Sequence, residues 1–117
     1  MKLADANKVA SDEFDVLITL ILAYVTILYI TDMVRVGKFD YQLSSRKGKK
    51  LMTVVDGKTI HFGDSNFQQF FDKTGLLPKK MNHMDARRRK NYLARAKGIT
   101  GWKDPDTANY HAIRILW

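Results

Sequence analysis

The chain contains no cysteine, so no disulfide staples it, no thiolate binds metal or attacks a substrate, and a secreted disulfide scaffold is excluded. It has two prolines, no internal repeat and no low-complexity tract. Nucleophile elbow, Gly-rich phosphate loop and paired-carboxylate motif are all missing. His61, His83 and His111 stand 22 and 28 residues apart, so no pair has the helical spacing that favours a metal site, and His61 reads as a packing residue bonded to a nearby turn. These gaps predict a protein that is not an enzyme and has no cofactor and no dedicated metal site. At 117 residues the chain has room for one modest core and an appendage.

What is present is unevenly charged. The formal net charge is +8, yet residues 1–35 carry three basic side chains against five acidic ones. The remaining 82 residues carry 17 basic against seven acidic, a net +10. That part should attract polyanions: nucleic acid, anionic headgroups or an acidic protein face.

Residues 1–13 read as a polar segment, frayed at its start, in which Ser11 or Asp12 is suited to cap a helix. Val16 to Thr31 then run for 16 residues without a charge. At a rise of about 1.5 Å per residue they span roughly 24 Å, short of a ~30 Å hydrocarbon core, whereas the window 14–34 would cross it. The run lacks a polar stripe, which favours a membrane helix carried by Val16, Leu17, Ile18, Leu20, Ile21, Leu22, Val25, Ile27, Leu28 and Ile30. A helix buried in a protein core or an oligomer interface is the competing reading. For a membrane helix, Lys2 and Lys8 precede it, and Arg35, Lys38, Arg46, Lys47, Lys49 and Lys50 follow, placing the C-terminal part on the cytosolic side.

Residues 35–117 read as a basic α+β domain. Phe39, Tyr41 and Leu43 alternate with polar residues, and Leu51–Val55 and Lys58–Phe62 flank Asp56-Gly57, a strong hairpin signal. The spacing predicts a three-stranded antiparallel meander with two to three short helices: one over 66–73 on Phe67, Phe70 and Phe71, one over 86–97 capped by Asp85, and a final short one after Asp104. The helix over 86–97 shows a narrow apolar face of Tyr92, Leu93 and Ala96 and is otherwise basic. It suits phosphate contact, or else a solvated helix with an internal Asp85–Arg89 pair.

Four segments in order, KKLMTVVDGKTIHFGD (49–64), FFDKTGL (70–76), NHMDARRRKNYLARAKGI (82–99) and DPDTANYHAIRILW (104–117), resemble a small domain family of unknown function. That family occurs chiefly in nucleocytoplasmic large DNA viruses of the chlorella virus and mimivirus type. The resemblance extends over the stretch from Lys49 to Trp117, about sixty per cent of the chain, and brings no catalytic residues with it. It implies a structural virion component, a minor capsid protein linking the inner viral membrane to the capsid shell. The implied partners are the major capsid protein, neighbouring minor capsid proteins and the inner membrane with its anionic lipids. On this reading Arg46, Lys47, Lys49 and Lys50 contact headgroups, while Arg87, Arg88 and Lys90 face protein. The protein would lie between shell and membrane in the virion, and on a host membrane during assembly. The alternative is a viral nucleic-acid-binding protein that oligomerises through the apolar helix.

Overall fold

The computed structural model describes the backbone of residues 3–117 and the side chains of residues 13–27 and 32–117. The chain divides into two units, Met1–Asp32 and Met33–Trp117.

The first unit is a single helix, α1 (Leu3–Thr31). It begins well before Ser11 and Asp12, so these lie within it rather than at its start, and most of the polar segment 1–13 is helical. Its threonine hydroxyls are satisfied locally, Thr19 donating to the Asp15 carbonyl at 2.9 Å and Thr26 to the Leu22 carbonyl at 2.8 Å. All described side chains from Glu13 to Ile27 are exposed.

The membrane helix expected over 14–34 is not upheld. Among the described residues no helix is long and apolar enough to cross a membrane. Physically, the uncharged run is too short, and widening it brings in Asp15 and Glu13 at one end and Asp32 at the other. The helix also stops at Thr31, and Val34 belongs to a strand. The membrane assignment of Val16, Leu17, Ile18, Leu20, Ile21, Leu22, Val25 and Ile27 is withdrawn with it. Leu28 and Ile30 are on the same helix, but their side chains lie outside the described residues.

The second unit is α+β, and its sheet has four strands rather than the expected three. β1 (Val34–Val36), β2 (Phe39–Leu43), β3 (Lys49–Val55) and β4 (Lys58–Asp64) form an antiparallel meander in sequence order. Asp56 (φ 49°) and Gly57 (φ 78°) turn β3 into β4, both at the positive φ of a type I′ hairpin. Register pairs Tyr41 with Thr53, Thr53 with Ile60, and Leu51 with Phe62, which puts one set of side chains on the core face.

The helix expected over 66–73 does not form. Phe71 and Lys73 donate their amides to the Leu116 and Ile115 carbonyls, and Gln69 donates to Met81, so the segment's backbone bonds go to distant chain. Asp72, 2 % exposed, fixes the turn that follows by accepting from the Thr74 amide and hydroxyl and from the Leu77 amide. A 3₁₀ turn (Lys79–Met81) leads to α2 (Ala86–Ala96), capped by Asp85, and to α3 (Ala108–Ile115), capped by Thr107.

Helix α3 packs on β4 and touches α2. The core consists of Tyr41, Leu51, Phe62, Ala112, Ile115 and Leu116, with Val36, Phe39, Leu76, Leu77 and Trp117 packed against it. His111 sits fully buried in it, bonded to the Tyr41 hydroxyl at 2.8 Å and the Pro105 carbonyl at 2.6 Å.

Candidate binding groove

Helix α2 places Arg88, Asn91, Tyr92 and Arg95 at i, i+3, i+4 and i+7, one stripe along its length. That stripe forms one wall of a groove of about 560 Å³. Lys49, Lys50, Gly63 and Asp64 at the paired ends of β3 and β4, with Phe67 and Gln68 in the turn beyond, line another side. Asn109, Ala112, Leu116 and Trp117 complete the lining.

Its aromatic part is layered. Tyr92 stacks on Trp117 with ring centres 4.0 Å apart and planes 8° from parallel, and the Arg95 guanidinium lies 5.6 Å from the Tyr92 ring centre. Arg88 is braced by a 3.0 Å bond from Nη1 to Gln68 Oε1. Phe67 is 67 % exposed, a large apolar side chain at the rim. The backbone of the helix start is fixed by Asp85, whose carboxylate accepts from the Arg87 amide at 2.9 Å and the Arg88 amide at 3.1 Å. The amide bond from Arg88 is the main reason its carboxyl sits below the usual range.

Four cationic side chains thus meet one carboxylate, Asp64, whose Oδ1 already accepts the Asn66 amide at 2.9 Å. Among the described residues the only ion pair is Arg35 with Asp40, so the groove cations have no carboxylate in contact. The arrangement suits anionic groups beside apolar or aromatic ones. The Ser44 hydroxyl lies 2.7 Å from His61 Nδ1, but it also accepts the Arg46 amide at 3.0 Å and serves to fix that turn. Among the described residues no three His, Asp or Glu side chains converge to hold a metal.

Of the seven basic residues singled out from sequence, the structure brings Lys49, Lys50 and Arg88 to this groove. Arg46 and Lys47 are exposed on the β2–β3 turn, and Arg87 and Lys90 are exposed on other faces of α2. Lys50 is not a surface side chain: it is 8 % exposed, with Nζ donating to Gln69 Oε1 at 2.8 Å. The internal pair suggested for Asp85 and Arg89 does not form. Arg89 Nε instead donates to the Trp117 carbonyl at 2.7 Å, with the guanidinium over Phe70.

Sequence reasoning missed Arg95, Asn91, Phe67 and Trp117. The 88-91-92-95 spacing carried a signal for the helical wall. Phe67 and Trp117 had none, because only the long-range packing brings them there. Family models, curated proteins and solved structures give no match to this chain, so the viral resemblance rests on the four quoted segments alone.

Proposed function

We propose that the chain is a non-enzymatic structural protein of a virus particle, a minor capsid protein whose basic unit seats an acidic segment of a neighbouring capsid protein. The observation that supports this reading is the convergence of Lys49, Lys50, Arg88 and Arg95 on one groove with a stacked aromatic floor. Such a groove suits a short segment carrying carboxylates beside an apolar anchor, the combination that aromatic and arginine-rich interface centres favour. The segments that resemble the viral family supply every lining residue except Phe67 and Gln68. Helix α1 adds to this: a helix with exposed apolar side chains on all described sides needs a cover, and in an assembly that cover is protein. The chain's proposed position is between capsid shell and inner membrane.

A second reading, nucleic-acid binding with oligomerisation through α1, is favoured by one observation, the open face of Phe67 beside the groove cations, on which a base can stack. A photo-crosslinking amino acid at Asn91, activated in assembled particles, separates the two. Adducts to a capsid protein support the first reading, and adducts to nucleic acid replace it with the second.

A further inference from the structure

A second cleft, of about 380 Å³, shares Lys49 and Lys50 with the groove. Lys49, Lys50 and Lys80 line it with Ser65 and Gln69, and no carboxylate does. Gln69 is itself fully buried, and its amide donates to Asn82 Oδ1 at 2.7 Å, which turns its carbonyl oxygen toward the Lys50 ammonium. That neutral oxygen is the one acceptor within bonding distance of Nζ among the described residues. Asp64 and Asp72 act on Lys50 from farther away, and Asp72 is committed to Thr74 and Leu77. Burial accordingly depresses the Lys50 pKa, with the two carboxylates opposing it only in part. A more than nine-tenths buried cation with spare protons and no contacting counter-ion is costly to keep, and an anion entering the cleft relieves that cost.

We propose that this cleft is a phosphate-binding site, in which Lys50 Nζ is the central donor, Lys49 and Lys80 close the charge from the rim, and the Ser65 hydroxyl adds a neutral donor. Three ammonium groups and a hydroxyl match the charge and multiple acceptor oxygens of a phosphate group better than a single carboxylate. The cleft shares Lys49 and Lys50 with the groove but not Arg88 or Arg95, so charge reversal at Arg88 and Arg95 tests the assembly reading without altering this site.

The test is titration of the full chain with inorganic phosphate, followed by calorimetry and by thermal unfolding against chloride at equal ionic strength. Saturable binding and a saturating rise in Tm are expected. Lys50→Met, which keeps the stem and removes the charge, should abolish both, and Lys80→Ala, at an exposed position, should weaken binding about tenfold, the loss of one charge-assisted contact. Vesicles of phosphatidylcholine with and without phosphatidic acid identify the source. Binding to the acidic vesicles that Lys50→Met removes assigns a lipid headgroup, and phosphate binding without vesicle binding assigns a free phosphate. A non-saturating rise in Tm that is equal in wild type, Lys50→Met and Lys80→Ala is the general effect of an excluded salt and overturns the site.

Discussion

His111 is buried among aromatic rings with both nitrogens engaged. The Pro105 carbonyl accepts only, so Nε2 carries the proton and Nδ1 takes the hydrogen bond from Tyr41. Burial pushes the Tyr41 phenol up to about 12, which keeps it a donor, and lowers the His111 pKa, which keeps the ring neutral. Tyr41→Phe therefore leaves a buried nitrogen unpaired and should cost about 1–3 kcal/mol in urea unfolding. A pH dependence follows with a definite sign. Because the folded pKa of His111 lies below the unfolded value of about 6.5, the unfolded chain binds more protons between the two. Stability is full above that unfolded value and is lost as pH falls toward the folded one. His83, whose pKa is also lowered by burial first and then by Arg88, adds in the same direction. Unfolding midpoints at pH 7.5 and pH 5 should differ accordingly, and identical midpoints would refute a neutral buried His111. Gly63 sits at φ 80°, and a Cβ there would lie 2.9 Å from Leu116 Cδ1 and 3.0 Å from Lys50 Cδ. Gly63→Ala should lower stability by about 1–3 kcal/mol, measured in the same assay.

Which elements were legible depended on how local their causes were. The β3–β4 hairpin was, because Asp56-Gly57 specifies its own turn and the alternation beside it fixes the face. Helix α2 was, because Asp85 caps it by contacts within three residues. The strand β1 was not: Val34–Val36 is three residues long, too short for alternation to show, and exists only because β2 pairs with it. The 66–73 segment misled for the opposite reason. Phe67, Phe70 and Phe71 have helical spacing, but the amides of Phe71 and Lys73 are taken by the end of α3. In α1 the apolar run was plain and its environment was not, since length alone separates a span from a covered helix only near ~20 residues. If a second copy of the chain covers α1, Leu20→Glu, at a side chain now 60 % exposed, should shift the full chain to a smaller species in sedimentation equilibrium. An unchanged mass would mean that this face of α1 does not pair with another copy.

At the scale of the whole molecule the charge asymmetry is the first-order fact, and it was legible from counting alone. The groove was only half legible. Lys49-Lys50 and Arg87–Lys90 stood out as clusters in the sequence, yet their separation of nearly forty residues concealed that Arg88 alone of the second cluster shares a groove with the first. The fold therefore sorts cations that look equivalent in sequence into groove members (Lys49, Lys50, Arg88, Arg95) and exposed bystanders (Arg46, Lys47, Arg87, Lys90). Reversing exposed charges should leave the fold intact, because such groups contribute little to stability.

That sorting gives the account its most direct test, the number of copies per purified particle, by quantitative mass spectrometry, for two charge-reversed variants verified as folded by circular dichroism. Arg88→Glu with Arg95→Glu should reduce incorporation at least tenfold, because reversed charge in the groove repels an acidic segment, while Arg87→Glu with Lys90→Glu, on other faces of the same helix, should enter at close to the wild-type number. Equal incorporation of both variants, or a loss confined to the Arg87 and Lys90 pair, would contradict the groove as the docking site.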